Sequence, residues 1–141
     1  MHSSPNYLFW CLHKHTMALT TDVLAKFGAE ITPVQHAVLI VAGAQPGIDQ
    51  ANLAALISYD RATTSGVLDR LQARGYLQRF EHPKDRRAKA IYLTEAGRDL
   101  LVVADTAARD ARERILSELE TSEVETLFAL IDKLLPAEFP R

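Results

Sequence analysis

The feature that most constrains this 141-residue chain is a run of punctuation between Asp49 and Gly97. Asp49 stands before a short apolar stretch that ends near Ile57, and Asp60 before another that runs from Arg61 to about Arg74 and stops at Gly75. An aspartate in either place can accept hydrogen bonds from the free amides of a helix's first turn, and a glycine after the last turn supplies a left-handed stop. Ile48 before the first cap and Leu53 inside it are spaced as a hydrophobic staple. Only Ser58, Tyr59 and Asp60 separate the two segments, so they form a helix-turn-helix pattern. Beyond Gly75, Tyr76 to Glu81 and Lys89 to Leu93 carry β-formers on either side of the polar run His82 to Arg87. That spacing predicts a β-hairpin with a charged tip.

Helical periodicity flanks this segment. Leu8, Leu12, Leu19, Val23 and Phe27 recur near every fourth position and Gly28 follows, which predicts a first helix over about Asn6 to Phe27. Thr32-Pro33-Val34-Gln35 opens a second helix as a capping box with proline at its first position, running to Ala42 before Gly43 to Gly47 break it. Thr94 can cap a fifth helix reaching about Leu119, with Leu100, Leu101, Ala104, Ala107, Ala108, Ala111, Ile115 and Leu119 inward. Ser122-Glu123-Val124-Glu125 reads as the capping box of a sixth, whose apolar positions Val124, Leu127, Phe128, Ile131, Leu134 and Leu135 end before Pro136. The expected fold is mainly α: six helices and a two-stranded hairpin.

With 48% hydrophobic residues, the chain has enough apolar surface for one compact domain over residues 1–141, and 24% charge excludes a wholly disordered polymer. Its single cysteine, Cys11, has no intramolecular disulfide partner, and the first residues lack the pattern of a signal peptide, which points to the reducing cytoplasm. Apolar runs such as Ala37 to Ala42 are far shorter than the roughly 20 residues that span a bilayer. The formal charge of −2 hides an asymmetry: residues 60–89 carry +4, leaving −6 on the rest. A basic stripe flanked by acidic arms is the electrostatic footprint of a phosphate-backbone binder.

Helix, turn, helix, glycine, hairpin, helix is the order of a winged helix-turn-helix. Leu53-Ala54, the run Leu68-Asp69-Arg70-Leu71-Gln72-Ala73-Arg74-Gly75-Tyr76-Leu77, then His82-Pro83-Lys84-Asp85-Arg86-Arg87-Ala88 and Leu93-Thr94-Glu95-Ala96-Gly97 closely resemble the MarR family of bacterial transcriptional regulators. The resemblance implies an obligate homodimer joined through N- and C-terminal helices (residues 6–28 and 95–135) around a DNA-binding lobe (residues 32–93). It also implies a near-palindromic double-stranded operator and a repressor released by a small aromatic acid or phenol. In the wing, the resemblance makes Arg87 the arginine that enters the minor groove and Asp85 the residue that holds the wing.

The residues of the fourth helix fit this use. Thr64, Val67, Leu68 and Leu71 fall on one side and face the core, while Ala62, Ser65, Gly66 and Asp69 point away, with Thr63 and Arg70 on the shoulders. Small outward residues let a helix sink into the major groove, where Thr63 and Ser65 can meet base edges or phosphates; Arg61 and Arg70 suit phosphates. Arg86, Arg87 and Lys89 extend the basic surface into the wing. For the effector, Trp10, His13 and His36 lie where the family's pocket would be lined. Cys11 offers an alternative thiol-based redox reading, although the redox-sensing branch's cysteine position falls on Leu8. Cys11 and His15 lack the dense ligand set a metal needs, so neither metal nor cofactor is expected. The chain has no nucleophile-elbow, zinc-protease, phosphate-loop or dinucleotide motif, so it is not read as an enzyme. The remaining alternative from another class is a winged-helix module that acts through protein contacts without DNA.

Overall fold

The computed structural model describes residues 4–136. In chain order these form α1 (Pro5–Lys26), α2 (Pro33–Ala44), β1 (Ile48–Asp49), α3 (Gln50–Ile57), α4 (Arg61–Ala73), β2 (Leu77–His82), β3 (Asp85–Leu93), α5 (Glu95–Ile115) and α6 (Thr121–Leu134). The described residues divide into two compact units: Val34–Val102 contains the helix-turn-helix and the sheet, and the chain up to Pro33 joins Val103–Leu134 in the other.

In the helix-turn-helix unit, the expected caps are in place. Asp49 Oδ1 accepts from the Asn52 amide at 2.9 Å and Asp60 Oδ1 from the Thr63 amide at 2.8 Å, satisfying two of the donors that open α3 and α4. Gly75 stands at φ +79°, the left-handed turn that ends α4. Thr64, Val67, Leu68 and Leu71 are buried, as the helical spacing of α4 requires, together with Val38, Leu39, Leu53, Leu77 and Ile91. The sheet is antiparallel in the order β1-β3-β2, with Ile48 opposite Ile91 and Leu77 opposite Leu93. The third strand, β1, extends the two-stranded hairpin expected from sequence.

Thr94 is a junction. Its Oγ1 donates to the Gly75 carbonyl at 2.6 Å and accepts from the Gly97 amide at 3.0 Å, while its own amide bonds the Tyr76 carbonyl. The first turn of α5 is thereby fixed to the turn between α4 and β2. A Cβ on Gly97 would overlap the Tyr76 carbonyl oxygen, so this close approach requires glycine at that position.

Several boundaries differ from the sequence expectation. Helix α2 runs through Gly43 to Ala44, with the Leu101 and Leu93 side chains close to the glycine; the left-handed residue follows at Gly47, φ +87°, against the Tyr92 hydroxyl. Strand β3 starts at Asp85, so Arg86 and Arg87 belong to a strand and only Pro83 and Lys84 form the tip. Helix α5 ends at Ile115, where the Ser117 hydroxyl takes the Arg114 carbonyl. Helix α6 starts one residue before Ser122, and its reciprocal cap uses the Glu123 carboxylate on the Glu120 amide at 2.9 Å, two positions upstream of the box expected at Ser122 and Glu125.

The other unit buries Val23, Leu24, Ala29, Ile31, Ala104, Ala107 and Ala111. Much of its apolar surface stays open. Leu8, Phe9, Trp10 and Leu12 of α1 are each about half exposed, and α6 has no buried residue, with Phe128, Leu130 and Leu134 in solvent. Leu119, expected inward, is 39% exposed because the helix has already ended. Among the described residues, no helix is long and apolar enough to cross a membrane.

Candidate nucleic-acid interface

The cap of α4 fixes more than the backbone. Besides binding the Thr63 amide, Asp60 accepts from the Thr63 hydroxyl through Oδ2 at 2.7 Å. These bonds, the hydroxyl first and the amide second, hold the Asp60 carboxyl below the usual aspartate range. The Asn52 amide is the largest influence lowering Asp49, with a smaller favourable contribution from His82. Both caps are therefore ionised at neutral pH, and the Thr63 hydroxyl proton is already committed. Toward an outside group, Thr63 Oγ1 is an acceptor.

Helix α4 leaves Arg61, Ala62, Thr63 and Arg70 exposed and Ser65 and Gly66 half-buried. No atom lies within 4 Å of where a Cβ on Gly66 would stand, so no packing inside the chain requires that glycine. Arg86, Arg87 and Lys89 are exposed on β3. Asp85 Oδ1 accepts from the Arg87 amide at 2.9 Å, and a register irregularity between Glu81 and His82 shapes the strand opposite. Asp85 thus closes the wing turn and sets the backbone that carries Arg87.

Arg61, Arg87 and Lys89 come together on an open cleft of about 390 Å³, where the starts of α3 and α4 meet the wing. Three cations face Asp49 and Asp85 there, and both carboxylates bond backbone amides. Arg70 and Arg86 do not line this cleft. Gln50, at the start of α3, does, and sequence reasoning passed over it because a neutral side chain leaves no mark on a charge count.

The residues expected to meet an effector fall in different units. Trp10 and His13 lie exposed on α1, Trp10 with Lys14 Nζ 4.8 Å above its ring and Tyr7 at 6.1 Å between centroids. His36 is buried on α2 and belongs to the other unit. Cys11 is half-buried; its side-chain hydrogen bond with Tyr7, one turn away, raises the tyrosine's pKa. Among the described residues, no cluster of three or more His, Cys, Asp or Glu could hold a metal ion.

Residues 31–89 match the sequence profile of the MarR family. The chain is 30% identical over 108 residues to the transcriptional regulator HosA of Escherichia coli O111:H-, covering 77% of this chain and 80% of HosA. It belongs to the MarR family. A probable transcriptional regulator from Pseudomonas aeruginosa superposes with a TM-score of 0.89 at 31% identity, over 95% of this chain and 98% of the other. A cysteine-to-serine mutant of MarR from E. coli, complexed with operator DNA, superposes at 0.86 with 26% identity, covering 93% of each chain. The PcaV transcriptional regulator from Streptomyces coelicolor, in complex with its natural ligand, does so at 0.86 with 27% identity, covering 94% and 92%. This MarR-family chain is a transcriptional regulator with the family's winged-helix fold, and the family and these relatives are regulators rather than enzymes.

Proposed function

We propose that the chain binds a near-palindromic duplex operator as a homodimer, inserting the outward face of α4 into the major groove and Arg87 of the wing into the adjacent minor groove. The observation that carries this reading is the convergence of Arg61, Arg87 and Lys89 beside a helix face of small residues. Cations at that density suit phosphates and a narrow groove, and the small face admits close approach. The operator complex of the related MarR supports the same use here. The test is a salt titration. Arg87→Ala weakens binding to every duplex and flattens the slope of log affinity against log salt by about 1, because an arginine on phosphate or in the minor groove acts through counterion release. Parent-like binding by Arg87→Ala at several salt concentrations overturns the wing assignment.

We further propose that the chain is a repressor released by a small aromatic acid or phenol. The ligand complex of the related PcaV supports regulation by a small molecule. An effector's leverage is its differential affinity for two states, so it weakens operator binding roughly 5- to 150-fold. Reciprocity requires the operator to weaken effector binding by that factor. Calorimetry showing a saturating ligand with unchanged operator affinity removes this mechanism.

A further inference from the structure

The recognition helix carries a negative charge on its exposed side. Asp69 lies one turn beyond Ser65 with its side chain 60% in solvent, where it would repel a phosphate backbone. Arg79 of β2 meets it: Nη2 donates to Asp69 Oδ1 at 2.6 Å, and Nε donates to Gln72 Oε1, also at 2.6 Å. The two acceptors are three positions apart on α4, so one rigid, planar guanidinium spans a helical turn. Arg79 itself is only 21% exposed, which orders its side chain, and it pairs in register with Ile91 at the center of the sheet. Unlike Arg87, it points its donors back into the protein.

We propose that Arg79 is a positioning residue of the DNA interface, which locks α4 to the root of the wing and neutralises Asp69 without itself contacting DNA. A fork joining helix and strand fixes the angle between the groups that would enter adjacent grooves. Its charge cancels the one carboxylate that the outward face of α4 carries. The inference rests on the duplex-binding reading above and adds a residue to it.

The experiment uses the full chain and a labelled duplex that the parent selects from a random-sequence pool. If the parent selects none, the binding reading fails before Arg79 is examined. If it does, Arg79→Ala loses affinity on the order of tenfold, and adding Asp69→Asn restores most of it, because the uncancelled carboxylate causes much of the loss. The salt slope of Arg79→Ala stays within a few tenths of the parent's. An equal loss with and without Asp69→Asn, with a slope flatter by about 1, identifies a direct phosphate contact and overturns the proposal. Parent-like affinity in Arg79→Ala also overturns it. Should Arg79→Ala fail to fold, Arg79→Lys, which keeps the charge but not the two-pronged fork, carries the test: altered preference among selected duplexes supports the locking role, and parent-like preference and affinity refute it.

Discussion

At the scale of single residues, the outward face of α4 is organised by what its side chains are no longer free to do. The Thr63 hydroxyl donates its hydrogen bond to Asp60, so toward a base edge Oγ1 accepts from amino groups such as adenine N6 or cytosine N4. Thr63→Val, which keeps the shape and deletes the acceptor, should relax preference at one operator position while leaving the salt slope unchanged. Gly66 gives an opposing pair of effects. With open space around its Cα, Gly66→Ala removes the conformational penalty of a mid-helix glycine and should stabilise the free protein by about 1 kcal/mol, read as a raised melting temperature. The same methyl group occupies the surface that must approach DNA, so duplex affinity should fall. A variant that gains stability and binds as well as the parent removes Gly66 from the interface. Gly97→Ala tests a different closeness, because it drives a methyl group into the Tyr76 carbonyl; a loss of about 2 kcal/mol or more by urea unfolding is expected.

At the scale of elements, what the sequence reveals depends on how far away the partner lies. Asp49, Asp60 and Thr94 cap helices through bonds to residues three positions on, so their residue types announce them. Strand β1 is two residues long and exists because Ile48 and Asp49 meet Ile91 and Ala90, more than forty positions later; no local pattern can signal it. The Arg79 fork is hidden for the same reason, since its acceptors stand 7 and 10 residues back on another element. Helix α6 starts earlier than its local pattern suggests, because Ser122 imitates a cap while the Glu120 amide donates to the Glu123 carboxylate. The two aspartate caps also predict an acid limb. Their folded pKa values lie below the unfolded one, so the stabilisation is complete above about pH 4 and disappears as pH falls through the folded values. Asp49→Asn with Asp60→Asn keeps one oxygen on each cap to accept from the helix amide, without the titration, and should flatten the fall in urea midpoint between pH 5 and pH 3. An unchanged profile would assign the acid limb to other carboxylates.

At the scale of the whole molecule, the sequence's basic stripe and acidic arms correspond to different needs for a partner. The lobe has its own buried core, whereas α1 and α6 leave Phe9, Trp10, Phe128 and Leu130 about half in water. Of the faces that periodicity sets inward, Leu8, Leu12, Phe128 and Leu134 are open here, which is what helices awaiting a second chain would leave. A homodimer through these helices should therefore show a melting temperature that rises with protein concentration, and Phe128→Asp should shift light scattering toward the monomer. Its two recognition helices would protect half-sites about 34–36 Å apart, and a footprint confined to one half-site contradicts that symmetry. Helix α6, with no residue buried by its own chain, carries this dependence furthest. A subunit without its copy keeps an unsheltered apolar strip at the helical end nearest the C-terminus, the sort of handle that cellular proteases engage. Substitutions on α6 would then shorten the regulator's lifetime before they altered its grip on DNA, so its steady-state level would track how completely the subunits pair.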